Sequence, residues 1–508
     1  MNSAPAPSMG KSGRGATAAG QRGAPSPAEA PEVRETHTGI VVLVGDRAYK
    51  VKKPVATDFL DFTTVRLREE ACEREVRLNR RLAEDGYLGV AHLSGLVGME
   101  PEPVVVMKRY PDVARLATMV RRGEPVNAHL TAIAKRLADF HATAARSASI
   151  DIQGEVSAVR GRWSENLTEL RRWAGTELAA DRLDDVERLV TQFIDGRTTL
   201  FAERIAAHRI VDGHGDLIAE DVFCLPTGPV LLDCLDFDDA LRCVDGLDDA
   251  AFLAMDLEFL GRPDLAEFFL DEYRLGADDT APEALAHLFV AYRAVVRAKV
   301  DLIRSEQGER ERANDARRHL ELALRHLREG TVRLILVGGG PGSGKTTLAR
   351  ALGERLSAEV ISSDDVRHDM VTDGQLGGDP GHLDSGRYSP ANVEAVYTAM
   401  LHRARTLLAC GRSVILDGTW RDPSHRADAR RMANELSCPT VELACTLPLG
   451  QAVERIGQRA RSTSEATPAI AAAIAGGQHI WTEAHPIDTG RPLGDSVAEA
   501  REVCCLAY

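Results

Sequence analysis

The sequence predicts an α/β multidomain protein whose C-terminal part is a parallel α/β domain. Three observations lead there. The apolar stretch Val332-Arg-Leu-Ile-Leu-Val337 runs into Gly339-Gly340-Pro341-Gly342-Ser343-Gly344-Lys345-Thr346-Thr347, and the residues after Lys345 can start a helix. Apolar runs near 332–337, 358–362, 413–417 and 440–445 then alternate with helical patterns, as crossover-connected parallel strands do. The residues before 330 follow another plan, short strands first and long helical stretches after, so the two parts are not copies of one another.

At 508 residues the chain is too long for one ordinary core, and two to four domains are expected. A formal net charge of −14 argues against non-specific nucleic-acid binding over the whole surface. No apolar run approaches the length of about 18 residues that a membrane span needs. Nine cysteines without paired metal-ligand spacing fit reduced thiols of a cytoplasmic protein. Residues 1–35, rich in Ala, Pro, Gly and Ser, read as a disordered tail, with a basic transit peptide as the other reading.

In chain order, 40–44 and 47–52 read as strands joined by a Gly45-Asp46 turn, 64–84 as a helix and 103–107 as another strand. Helical patterns cover 128–145, 164–180 and 184–207. Segments 209–223 and 229–237 combine short apolar runs with clustered acids, as strands around a catalytic loop would. From 247 to 327 the pattern is helical again, and Gly330 breaks it before the glycine-rich loop.

Gly339 to Thr346 satisfies the G-x-x-x-x-G-K-[ST] pattern in full, in the strand-to-helix context that pattern needs. Its backbone N–H groups and the following helix N-terminus suit a triphosphate, with Lys345 on the β/γ-phosphates and Thr346 on Mg²⁺. The expected ligands are therefore ATP and Mg²⁺. Asp364 follows the next strand, where open α/β sheets place their ligands, and Arg367 returns to the same face. Asp364 reads as the base for an acceptor hydroxyl, or as a helix N-cap. Asp417, closing an apolar strand, reads as part of the Mg²⁺ shell, or as a turn Asp before Gly418. Arg455, Arg459 and Arg461 read as a lid over the moving phosphoryl group, or as a solvated helix face.

From 332 to the end, these residues resemble the P-loop kinases of the gluconate-kinase, zeta-toxin and polynucleotide-kinase type. The resemblance implies that the Asp of Ser363-Asp364-x-x-Arg367 serves the acceptor and that the Arg binds acceptor or transferred phosphate. The acceptor is expected to be a small hydroxylated molecule, since no basic tract with interleaved aromatics points to nucleic acid.

The N-terminal half holds Val211-Asp-Gly-His214-Gly215-Asp216-Leu217 and, downstream, Val230-Leu-Leu-Asp233-Cys-Leu-Asp236-Phe237. These resemble the catalytic loop and metal-binding strand of aminoglycoside phosphotransferases and their choline- and methylthioribose-kinase-like relatives, which share the two-lobed protein-kinase fold. The resemblance implies that Asp216 is the base and Asp233 the principal metal ligand, with Asp236 a close second. It also implies a nucleotide-lobe lysine at Lys50, contested by Lys52 and Lys53, partnered by Glu75 or Glu73. Leu137-Ala-Asp-Phe-His141 and Asp245-x-x-x-Asp249 occur at matching order. Two departures stand out: no G-x-G-x-x-G loop lies between the first strands, and Asp221 replaces the family's metal-binding Asn.

With Tyr49-Lys-Val-Lys-Lys-Pro54, Phe59-Leu-Asp-Phe62 and Phe252-Leu-Ala-Met-Asp-Leu257, the order of the halves is similar to that of a bacterial family described as bifunctional aminoglycoside-phosphotransferase-like and ATP-binding. It implies a tail over 1–35, a two-lobed kinase-like α+β domain over 36–329 and a P-loop kinase domain over 330–508. Transfer of the γ-phosphoryl of Mg·ATP to a small-molecule hydroxyl is the expected activity. A nucleotide-gated regulatory ATPase and a polynucleotide 5′-kinase are the alternatives.

Overall fold

The computed structural model describes residues 31–35, 39–57, 60–94, 100–379, 384–458, 473 and 481–508. They divide into two units, one from residues 1–76 and 85–110, the other from 77–84 and 111–508.

The first unit is built on an antiparallel sheet. Its strands are β1 (Glu32–Glu35), β2 (Gly39–Val44), β3 (Arg47–Lys52), the short pair β4 (Ala56–Thr57) and β5 (Leu60–Asp61), β6 (Tyr87–Leu93) and β7 (Glu102–Lys108). The main sheet runs β1-β2-β3-β7-β6. Gly45 takes φ +56 in the turn that pairs Val44 with Arg47, a conformation open to glycine at no steric cost. The helix Val65–Asn79 starts in this unit and buries Cys72, Glu75 and Val76. Period-two alternation puts Ala48, Lys50 and Lys52 on one face of β3.

Strand β1 moves the C-terminal bound of the tail expected over 1–35, whose residues 1–30 lie outside the described residues. Glu32–Glu35 pairs in register with Ile40–Leu43. All four of its side chains are exposed, so no apolar alternation announces it. Backbone pairing and ion pairs hold it instead, Lys53 Nζ to Glu35 at 2.6 Å and Arg109 to Glu32 at 3.1 Å. The helix expected over 64–84 ends early, at Asn79.

The second unit opens with helices, among them Asn127–Thr143, Val156–Leu170, Ala180–Gly196 and Thr198–Ala206. Two antiparallel pairs follow: β8 (Ile210–Asp212) with β11 (Cys243–Asp245), and β9 (Val222–Leu225) with β10 (Gly228–Leu231). Helices Gly246–Phe259, Pro263–Gly276, Glu283–Glu306 and Arg312–Glu329 complete this part. The helix expected over 184–207 is broken at Arg197. That side chain turns inward, 1% exposed, and donates to Leu436 O at 2.8 Å and Cys438 Sγ at 3.1 Å.

The parallel sheet comes last, from β12 (Leu334–Gly338), β13 (Glu359–Ser362), β14 (Val414–Asp417), β15 (Thr440–Thr446) and β16 (His485–Asp488), in the order β13-β14-β12-β15-β16. Every residue of β12 is buried, as a central strand covered on both faces requires. Leu334 and Leu336 join the core shared with the preceding helices, while Ile335 and Val337 join a second core with Leu348, Leu443 and Val497. Strand β16 escaped the sequence reading because Ile487 is its one buried residue. Among the described residues no helix is long and apolar enough to cross a membrane. All nine cysteines are free thiols.

Arg204 pins the helical part. Its guanidinium makes bidentate pairs with Asp245 at 2.6 and 2.7 Å and with Asp279 at 2.6 and 2.7 Å, all three groups buried. Arg204→Ala leaves two buried carboxylates uncompensated and is expected to cost about 3–5 kcal/mol. Chemical denaturation of the full chain checks this, and a loss below about 1 kcal/mol would refute the assignment.

Candidate functional site

The loop from Gly339 to Gly344 turns the chain from β12 into the helix Lys345–Leu356. Its glycines are steric requirements. Gly339 sits at φ +149, where a Cβ would lie 2.5 Å from Ser343 Oγ, and at Gly342, φ +79, a Cβ would lie 2.4 Å from Ala452 O. Pro341 and Ser343 are buried, and no atom crowds Gly340. Gly344, at φ +87, caps the helix, and Lys345 is 8% exposed. The two threonines separate here. Thr347 is exposed, whereas Thr346 Oγ1 donates to Asp417 Oδ2 at 2.6 Å.

Strand register produces that contact. Asp417 lies beside Val337 of β12 and Ser362 of β13 at the carboxyl edge of the sheet. It is 1% exposed, and its Oδ1 has no hydrogen-bond partner among the described residues. Burial raises its pKa above the usual carboxylate range, against the pull of Lys345 and the Thr346 hydroxyl. A half-buried hydroxyl beside a buried carboxylate with one unsatisfied oxygen fits a hard divalent cation such as Mg²⁺.

Asp364 belongs to the same edge, and its charge acts on Asp417. Ser362, not Asp364, caps the helix Ser363–Thr372, accepting from the Asp364 amide. The Asp364 carboxylate is therefore left to accept from Arg367 Nη1 at 2.9 Å. Arg367 is nearly buried, lies 4.3 Å over the Tyr388 ring and has an Nε without a hydrogen-bond partner among the described residues. Arg455, on the helix Leu449–Gln458, donates to Thr489 O at 2.9 Å beside Gly344. Arg459 and Arg461 lie outside the described residues.

Sequence reading missed the scaffold around this edge. Thr489 Oγ1 donates to Ser343 O at 2.6 Å, tying the segment after β16 to the phosphate loop. Tyr397 is buried, stacks on His425 and accepts from the Trp420 amide at 3.1 Å. Lone threonines and tyrosines carry no motif, so only the fold reveals them.

In the first unit, Glu75 receives two of the three candidate lysines, Lys50 Nζ at 2.9 Å and Lys52 Nζ at 2.8 Å. Lys53 pairs instead with Glu35. Lys52 is the more deeply buried of the two that share Glu75.

In the second unit, the loop after β8 carries Gly213, His214, Gly215 and Asp216. Asp249 organises it: fully buried, it accepts from the amides of His214 at 2.6 Å and Gly215 at 2.7 Å, and pairs with His141 Nε2 at 2.9 Å. Burial works against its charge, but the His141 hydrogen bond and charge outweigh it and hold the carboxyl below its ordinary range. Arg293, buried, donates to Gly215 O at 3.2 Å and Asp248 at 2.7 Å. The sequence marked His141 and Asp249 by order alone. For Asp249 the signal was a pair of aspartates, Asp248 and Asp249, in the first turn of a mostly apolar helix.

Asp233 adopts φ +59, a left-handed conformation that Asp tolerates better than most residues. Its neighbours hold it there: Leu232 N–H bonds Asp221 O at 3.0 Å, and Cys234 N–H bonds Asn79 Oδ1 at 2.8 Å. Asp233 acts electrostatically on both Asp216 and His214. Asp221 reaches the same segment through its backbone, and Asp236 follows Leu235, whose amide bonds His214 O.

A family profile described as AAA domain matches residues 334–479. The protein Rv2004c of Mycobacterium tuberculosis (strain ATCC 25618 / H37Rv) is 54% identical over 472 residues, covering 93% of this chain and 95% of its own length. The chain belongs to the Rv2004c family. Among solved structures, a gluconokinase from Sinorhizobium meliloti 1021 is 16% identical, covering 34% of this chain and 92% of its own at a TM-score of 0.26. A choline/ethanolamine kinase family protein from Mesorhizobium loti is 15% identical, covering 59% and 92% at a TM-score of 0.37. The AAA-domain match begins at Leu334, the first residue of β12, and so spans the part of the chain that carries the phosphate loop.

Burial, opposed by Arg297 and reinforced by Asp233, pushes the Asp216 carboxyl from its ordinary 3.8 up to about 6. A carboxyl raised on folding binds more protons when folded, so its penalty is absent below about 3.8 and complete above about 6. Asp216→Asn removes that penalty. Its stability relative to wild type is expected to rise across this window, and denaturation curves that stay parallel from about pH 4 to pH 7 would contradict it.

Proposed function

We propose that this protein is an ATP-dependent phosphotransferase whose principal transfer site is the carboxyl edge of the parallel sheet, and that its acceptor is a small hydroxylated molecule. One observation carries the reading: register and loop bring Lys345, Thr346, Asp417 and the Asp364–Arg367 pair to one buried edge. Backbone amides from Gly339 to Gly344 cradle the phosphates, and Lys345 neutralises the β/γ pair. Thr346 and Asp417 hold Mg²⁺, which supplies charge neutralisation on the phosphates.

Asp364 accepts the proton of the acceptor hydroxyl as its oxygen bonds the γ-phosphorus and the bond to the β–γ bridging oxygen breaks, releasing ADP. Arg367, already ordered by Asp364 and Tyr388, offers its unsatisfied Nε to an anionic oxygen of acceptor or phosphoryl group. Arg455, beside Gly344, adds positive charge next to the phosphate loop. Catalysis is positioning and electrostatics, with little covalent work for the protein. The net charge of −14 and the reduced thiols suit a cytosolic small-molecule enzyme over a nucleic-acid kinase.

The kinase-like part supports a second phosphoryl-transfer site, with Asp216 as base and Asp233 as main metal ligand, assisted by Asp236 and Asp221. Within the first unit, Lys50, rivalled by Lys52, is the candidate nucleotide-binding lysine, and both pair with Glu75. A regulatory reading, in which this part binds a ligand and gates ATP hydrolysis, draws on the core that its helices share with the P-loop sheet and on Asp221 in place of Asn. Ligand-stimulated ATP hydrolysis without a phosphorylated product would favour it.

Transfer of label from γ-labelled ATP to a metabolite pool is expected for wild type. Lys345→Ala and Asp364→Asn should each reduce it by at least about a hundredfold, given typical contributions of charge stabilisation and general bases. Asp216→Asn should leave that product intact. Full transfer in both Lys345→Ala and Asp364→Asn would sink the proposal.

A further inference from the structure

Away from both transfer sites, three side chains with metal-ligand chemistry meet between the last two helices before the parallel sheet. His287, on Glu283–Glu306, and His326, on Arg312–Glu329, bring their Nδ1 atoms to 2.8 Å. Glu329 lies one turn beyond His326 on the same helix, and ligand atoms of all three residues lie within 4.8 Å of one another.

The histidine behind this contact is already oriented. His326 Nε2 donates to Glu258 Oε2 at 2.6 Å, and Arg325 holds the other oxygen of that carboxylate. The proton on Nε2 leaves His326 Nδ1 bare, with its lone pair turned toward His287. A carboxylate fixing the far nitrogen of an imidazole is the arrangement that orients metal-binding histidines. Without a metal, His287 Nδ1–H fills the gap by donating to His326. A cavity of about 210 Å³ opens on His287 and Glu329 and is also lined by Arg274, Ser357 and Arg412.

We propose that His287, His326 and Glu329 bind a divalent transition-metal ion of the zinc class, with a fourth position open to the cavity for water. Two imidazoles and one carboxylate select such ions over Mg²⁺ or Ca²⁺, which take oxygen ligands. Metal–nitrogen bonds of about 2.0–2.1 Å in a tetrahedral site set the two nitrogens about 3.4 Å apart, so the rings open by roughly half an ångström. His287 shifts its remaining proton to Nε2, and both Nδ1 lone pairs then face the ion. Glu329 is exposed and free to swing in. Because Glu329 precedes Gly330 and the residues that enter β12, the ion ties the helical part to the strand that carries the phosphate loop.

The test is a Zn²⁺ titration of the full chain, stripped with a chelator, in competition with a chromophoric chelator. Wild type and Lys345→Ala should bind one equivalent alike, and His287→Gln and Glu329→Gln should each weaken that binding by at least about tenfold. Co²⁺ substitution gives a second readout in wild type itself: d–d bands of a low-coordinate nitrogen–oxygen site, with no thiolate charge-transfer band from the nine cysteines. Absence of a one-equivalent site, unchanged affinity in both variants, or a thiolate band would each overturn the proposal.

Discussion

The hydrogen bond from Thr346 Oγ1 to Asp417 Oδ2 joins the first turn of the helix after the phosphate loop to the neighbouring strand, with the threonine half-buried and the carboxylate buried. Its partners meet because β12 and β14 run parallel and in register, with Val337 beside Asp417. A shift of one residue would turn Asp417 to the opposite face and strand a carboxylate in the core. The loop conformation, the position of Lys345 and the approach of Asp364 from β13 all depend on that alignment. The interaction also carries a cost. A carboxylate held with one oxygen unsatisfied is destabilising to the fold by itself, and it persists where a cation completes it.

The helical part solves a similar problem with a different carboxylate. Asp249 is equally deep, but both of its oxygens are used, by two backbone amides and His141. It fixes the loop before Asp216 instead of waiting for a ligand. Asp249 and the Asp245–Arg204–Asp279 cluster are satisfied acids that hold the fold together, whereas one oxygen of Asp417 has no hydrogen-bond partner among the described residues and burial raises the Asp216 pKa, the two features on which their proposed roles rest.

Much of this was legible in the sequence because the relevant signals are local. Gly339 to Thr346, Asp364 with Arg367, and Asp417 each combine a strand end with a residue type that chemistry demands there, and the fold brings them to one edge. His214-Gly215-Asp216 and Asp233 were legible for the same reason. Long-range contacts were not. Which lysine meets Glu75 depends on a helix packing across β3, and the answer, both Lys50 and Lys52, cannot be read from spacing. Thr489 reaches Ser343 across more than a hundred residues of chain, and Ser362 takes the capping role that Asp364 could have filled. Strands β1 and β16 lacked the apolar alternation that reveals a strand, one being wholly exposed and the other burying only Ile487.

Calorimetric titration of ATP into the full chain, with and without Mg²⁺, tests the central claim most directly. If Thr346 and Asp417 form the metal-binding edge, Mg²⁺ should tighten ATP binding in wild type and lose that effect in Asp417→Asn and Thr346→Ala, while metal-free ATP binding survives in both. An equal Mg²⁺ enhancement in wild type and both variants would contradict the account.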